Sequence, residues 1–121
     1  MATPDPTKAA IAAAEAIRKI NHASLDGRLT APQISSMVQG LVAAVDRMPQ
    51  ALAQLAAQLR RRQEQGQVRM DDGSESGDAV RAVLAYLDDA AGDLEALSLS
   101  LHNAASPLFS MAHADTKEIA V

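Results

Sequence analysis

Apolar residues recur at steps of three and four in three stretches of the chain, the spacing of helices that each bury one face. The first stretch opens at Asp5-Pro6, where an aspartate can cap the first turn and a proline lacks only an N–H that has no helical partner anyway. It predicts helix 1 to about Asn21, with a narrow stripe of Ala10, Ala13, Ile17 and Ile20, before Asp26-Gly27 marks a turn. In the second, Thr30 and Gln33 have the spacing of a capping box, and Leu29 and Ile34 that of a hydrophobic staple. From there Ile34, Val38, Leu41, Val45, Met48, Leu52, Leu55 and Leu59 alternate steps of four and three, a sustained heptad seam. Pro49 removes one helical hydrogen bond and crowds the carbonyl of Val45. The heptad phase nevertheless crosses it unbroken, which predicts one kinked helix to about Gln65, ended by Gly66.

Residues 67 to 77 read as a polar connection, with Ser76 as N-cap of a third helix. Its stripe is Val80, Val83, Leu87, Ala90, Leu94, Leu97, Leu101, Ala104 and Leu108, widened by Leu84, Ala91 and Leu99 as a bundle helix requires. Ser106-Pro107 is either a kink or a new start, and a flexible tail is expected over 114–121. Helices 2 and 3 would each run roughly 50 Å, and a short connection forces them antiparallel. The fold class is all-α: a helical hairpin of two long helices with a shorter N-terminal helix, a three-helix bundle forming one domain over 1–113. Helix 1 is long enough to cover only the Ile34 half of the hairpin. Leu52, Leu55, Leu59, Val80, Leu84 and Leu87 at the other half are then expected to meet another chain, most simply a second copy that completes a four-helix section.

Composition sharpens this picture. The chain has 121 residues and is 48% apolar but only 2% aromatic, with no Trp. Much of that fraction is Ala, a strong helix former that buries little area, so the core is thin and gains from a partner. Net charge is −4, poorly suited to generic binding of phosphate backbones. With no Cys, disulfides and thiolate chemistry are excluded. The start, Met1 to Pro6, has no basic, apolar export pattern, and no stretch has the length of a membrane span, which makes a cytoplasmic protein the expectation.

Candidate chemistry is sparse. His22 to Gln33 has the central turn of a calcium loop, but His22 and Gln33 stand where carboxylate ligands belong. Asp72, Ser74, Ser76 and Asp78 alternate as such a loop begins, yet its twelfth position is Val83, so an acidic turn capping helix 3 is the better reading. Arg60, Arg61, Arg62 and Arg69 form a basic cluster that suits a helix C-terminus beside an acidic loop, and could alternatively contact nucleic acid. His22, His102 and His113 lie far apart and share no metal-ligand spacing. Asp88, Asp89, Asp93 and Glu95 make an acidic face, which needs a pocket before it can do acid–base work. Met48 fills the seam, while Met37 and Met70 could line an adaptable groove. No catalytic, metal or cofactor site and no small-molecule substrate is assigned.

Met48-Pro49-Gln50-Ala51-Leu52, Gln54-Leu55-Ala56, Asp71-Asp72-Gly73 and the Ala-rich third helix resemble a group of small uncharacterised actinobacterial proteins often found near mobile elements. The resemblance spans about two-thirds of the chain. It implies a helical hairpin and an accessory or regulatory role, and brings no catalytic residues. In outline the hairpin also resembles type VII secretion substrates, but the W-x-G turn is absent, and Tyr86-Leu87-Asp88-Asp89 departs from their spacing of Tyr to acid. The function expected is therefore a non-enzymatic helical interaction protein acting through self-association or a protein partner. A nucleic-acid-associated regulator and a secreted hairpin are the alternatives.

Overall fold

A computed structural model of the chain describes residues 4–25 and 27–114. It is all-α, with three helices in chain order: α1 Pro6–Ala23, α2 Ala31–Glu64 and α3 Gly77–Leu108. The residues form two compact units, 1–30 and 31–121. Asp26 of the expected turn and most of the expected tail lie outside the described residues.

In the first unit, the Asp5 carboxylate accepts hydrogen bonds from the backbone N–H groups of Thr7 and Lys8, at 3.0 and 3.4 Å, and Pro6 opens α1 as expected. Glu15 and Arg18, one turn apart, form an exposed ion pair at 2.6 Å that holds the glutamate carboxyl below its usual range.

The second unit is a hairpin. Gln63 near the end of α2 meets Ser76 at the start of α3, and Asp46 meets His102 far along it. Contacts that spread outward from the connection in this way make the pair antiparallel. α2 begins directly after Thr30 and runs unbroken through Pro49, and α3 runs through Pro107, so neither proline divides its helix.

The seam is a heptad pattern, but one row differs from the expected row by one residue. On α2 the sheltered positions include Ser35, Val38, Val42, Val45, Pro49, Leu52, Ala56, Leu59 and Gln63, with Ala31, Met37, Leu41 and Ala43 also partly sheltered beside them. On α3 they include Gly77, Val80, Leu84, Leu87, Ala91, Leu94, Ser98, Leu101, Ala105 and Leu108, with Ala79 and Ala90 beside them. Lettering each heptad a to g with the seam at a and d, the Val38 and Val80 rows are d and match the expected pattern. The a rows are Ser35–Val42–Pro49–Ala56 and Leu84–Ala91–Ser98–Ala105; on α2 the neighbours Ile34, Leu41, Met48 and Leu55 had been expected there, and on α3 Val83, Ala90, Leu97 and Ala104, with Leu84 and Ala91 only widening the stripe. Val42 and Val80 are the most buried apolar residues, at 7% and 6% exposure. The antiparallel register sets small against large in several layers, with Val38 level with Ala105, Leu52 with Ala91 and Ala56 with Leu87, while near the connection Leu59 lies level with Leu84. Helices can approach closely only where one partner of each layer is small.

The α2 terminus is closed by glycine. Gly66 has φ +68, its N–H bonds to Gln63 O at 3.0 Å, and the next N–H, of Gln67, reaches back to Arg62 O at 2.9 Å. This Schellman arrangement satisfies two carbonyls that the helix end would otherwise leave open. Ser76 stands at the α3 N-cap, but its side chain bonds elsewhere. Its buried hydroxyl lies 2.9 Å from Val68 O and 2.7 Å from Gln63 Oε1, tying the connection to the end of α2.

A Cβ built on Gly66 or on Gly92 meets no atom within 4 Å, so backbone conformation alone separates the two. Gly66→Ala forces an L-residue into left-handed backbone and is expected to cost about 1 kcal/mol, whereas Gly92→Ala in the α3 interior should gain roughly 0.5–1 kcal/mol. Thermal melts of the two variants should therefore move in opposite directions by several degrees; equal shifts would contradict this account of the α2 terminus.

Candidate functional site

With the register known, the two flanks of the hairpin can be compared. In an antiparallel pair the e rows of both helices lie along one side of the seam and the g rows along the other.

The e flank is polar. On α2 it carries Gln39, Asp46, Ala53 and Arg60, and on α3 Arg81, Asp88, Glu95 and His102. Asp46 gathers a cluster there. Ser98 Oγ donates to Asp46 Oδ1 at 2.5 Å, and His102 Nε2 lies 2.9 Å from Oδ2. These bonds, that of Ser98 foremost, hold the Asp46 carboxyl below its ordinary value. Ser98 and His102 sit one turn apart on α3, so one carboxylate clasps both across the seam. The three residue types are those of a nucleophilic triad, but the connectivity differs. A triad needs the hydroxyl bonded to the imidazole that takes its proton. Here both groups bond to the carboxylate, on opposite oxygens, and the hydroxyl proton is committed to Asp46. The arrangement works as a fastener between helices.

Further along this flank, Leu52, Ala53, Ala56, Leu84, Leu87 and Ala91 line an open groove of about 450 Å³, with Arg60 and Asp88 on its border. Small alanines leave the seam leucines partly uncovered there. Of the six residues expected at a partner interface, Leu52, Leu84 and Leu87 line this groove. Leu59 and Val80 lie within the intramolecular seam. Leu55 sits on the other side of the hairpin, 58% exposed.

That other side, the g flank, is apolar. It carries Ile34, Leu41, Met48 and Leu55 on α2, and Val83, Ala90, Leu97 and Ala104 on α3. No charged residue occupies a g position of α2 from Ile34 to Leu55 or of α3 from Val83 to Ala104, where charged residues commonly flank a coiled-coil seam. Met48 and Leu97 are 44% and 45% exposed. The c row beside it adds Met37, Ala44 and Ala51 on α2 and the exposed Tyr86 on α3, with Asp93 as an acidic interruption.

The basic cluster does not gather on one face. Arg60, Arg61 and Arg62 are consecutive on a helix, so their side chains leave it about 100° apart. Arg62 Nη1 donates to Gln65 Oε1 and Gln67 Oε1, both at 3.0 Å, which secures the α2 terminus. Arg69 stands in the connection beside Met70, Asp71 and Asp72. The alternating oxygens of that connection are also engaged separately. Ser74 bonds to Asp72 through both N–H and hydroxyl, lowering the Asp72 pKa, and Asp78 pairs with Arg81. Ser76 faces α2, as described. Among the described residues, no helix is long and apolar enough to cross a membrane.

Sequence reasoning missed the Asp46–Ser98–His102 cluster because its members are 52 and 56 residues apart and meet only in the correct register. The signal available was the i, i+4 spacing of Ser98 and His102. A carboxyl with a lower pKa in the folded chain holds its proton more tightly once unfolded. The clasp therefore adds stability above the usual carboxylate range and loses it as pH falls through the folded-state value. Wild-type protein should lose more thermal stability on acidification than Asp46→Asn does. Parallel acid profiles of the two would show that the clasp contributes no such linkage.

No known protein-family model, curated protein or solved structure matches the chain.

Proposed function

We propose that this chain is a non-enzymatic helical interaction protein that acts through the apolar g flank of its hairpin, by self-association or by binding a helical protein surface. The observation that carries the reading is the asymmetry of the two flanks. A hairpin that worked alone would gain solubility from charges on both sides of its seam, as the e flank has. The g flank instead leaves Ile34, Met48, Leu55, Val83 and Leu97 exposed, with Leu41 partly sheltered among them, the pattern of a surface awaiting a partner. Its contact residues are Met48, Leu55 and Leu97 together with their row neighbours. Leu55 is carried over from the interface expected from sequence, while most of that set packs α2 on α3.

The polar cluster supports the same reading from the other side. Asp46, Ser98 and His102 strengthen the hairpin on the flank away from the apolar rows, so the helices are held together without using the contact surface. Rigid presentation lowers the ordering cost of binding.

The test is the double variant Leu55→Lys/Leu97→Lys, studied dilute enough for the chain to be alone. Since neither residue is in the seam, helical content and melting temperature are expected to stay within a degree or two of wild type, because surface changes cost roughly 0.5 kcal/mol or less. A drop of ten degrees or loss of helicity would show that the flank belongs to the chain's own fold, and the interaction reading would fall.

A further inference from the structure

We infer that a second copy of this chain covers the g flank, with the two-fold axis running along the hairpin so that α2 of each subunit lies over α3 of the other. This rests on the interaction reading and names its partner. Two properties of the flank carry it.

The first is extent. From Ile34 to Leu55 the apolar flank runs about 30 Å, and two helices side by side make it about 20 Å wide, giving a face on the order of 600 Å². That is at the lower end of the area each partner contributes to a stable interface, about 600–1,000 Å².

The second is shape. The register brings Leu41 nearest to Ala104, Met48 to Leu97 and Leu55 to Ala90, each pair offset by about 3 Å along the axis, so relief alternates along the face. Two ways of laying a copy on this face have two-fold symmetry. With the axis across the helices, α2 lies over α2 in reverse. Leu41 then meets Leu55 of the partner subunit, and Ala104 meets Ala90 of the partner subunit. Bulk would collide along one edge and a void would open along the other, and both are unfavourable in packed apolar contacts. With the axis along the helices, each level faces itself with the helices exchanged. Leu41 meets Ala104 of the partner subunit, Leu55 meets Ala90 of the partner subunit, and the adaptable Met48 meets Leu97 of the partner subunit. Each projection then finds a recess, and the isologous contact closes as a dimer and does not propagate. The product is a four-helix section whose second seam repeats the small-against-large rule of the first.

The natural absence of cysteine makes this arrangement directly readable. Met48→Cys and Leu97→Cys are made separately in the full chain, then treated with a short bismaleimide alone and as an equimolar mixture. The axis along the helices predicts cross-linked dimer in the mixture and little in either variant alone. Efficient cross-linking of Met48→Cys to itself would overturn the arrangement while leaving self-association intact. Sedimentation of wild type as a strict monomer at high micromolar concentration would overturn the second copy as the occupant. It would leave the interaction reading to its own test, the melting of the dilute lysine variant. A further comparison keeps the shape argument falsifiable. Ala90→Leu should weaken the dimer roughly tenfold or more by overpacking, and adding Leu55→Ala should restore it. If Ala90→Leu tightens the dimer instead, alanine faces alanine and the proposed pairing is wrong.

Discussion

The close approach of α2 and α3 is the constraint on which the hairpin depends. The chain has almost no aromatic volume to fill a gap between helices. A stable seam must therefore come from short interaxial distance, and short distance requires small side chains in most layers. Ala56, Ala91, Ser98 and Ala105 meet that requirement, and Val38, Leu52 and Leu87 fill the space opposite them. Among the described apolar residues only Val42 and Val80 are buried, at 7% and 6% exposure, so the hydrophobic contribution is modest and spread along the length. Local terms then carry more weight than they would in a thick core: the Asp5 cap, the glycine turn at Gly66 and the hydroxyl of Ser76.

This constraint explains why the seam was legible in half its rows. The d rows, Val38–Val45–Leu52–Leu59 and Val80–Leu87–Leu94–Leu101–Leu108, are uniformly aliphatic and stand out by hydrophobicity. The a rows are chosen by size, and hydrophobicity ranks Ile34, Leu41, Met48 and Leu55 above Ser35, Val42, Pro49 and Ala56. Reading by hydrophobicity therefore assigns the g row to the seam on α2. On α3, where Ala90 adjoins Ala91 and Ala104 adjoins Ala105, it does not separate the two rows, and Leu84 and Ala91 stand in the expected stripe beside the g row. Helix boundaries were read closely because Asp5-Pro6, Thr30 and Gly66 are local signals that do not depend on register. The polar cluster was illegible for the opposite reason: Asp46 acquires its partners only through the pairing of distant segments.

The same shift changes what the bulky residues mean. Placed in the seam, Leu41, Met48 and Leu97 would be ordinary core. Placed beside it, they are large side chains that the hairpin does not need in order to close. Proline fits this picture. Pro49 occupies an a position, where its compact ring can face α3 and its missing N–H leaves the helix intact. Met48, next to it, is turned to the g flank, so these two adjacent residues split their roles between fold and surface.

The division of labour between flanks also bears on chemistry. Catalysis by serine or histidine needs a proton acceptor free to work, in a site that excludes water. At Asp46 the carboxylate is saturated by both neighbours, lies on an exposed surface and is already ionised at neutral pH, so what it offers is directional adhesion. Adhesion on the e flank frees the g flank from holding the hairpin together. A surface freed in this way can be aliphatic throughout, with alternating bulk and recess as its means of selecting a partner, since non-directional apolar contact by itself distinguishes partners poorly. In the proposed dimer selectivity would rest on fit: the projections of Leu41 and Leu55 require recesses, and α3 of the second copy would supply them at Ala104 and Ala90.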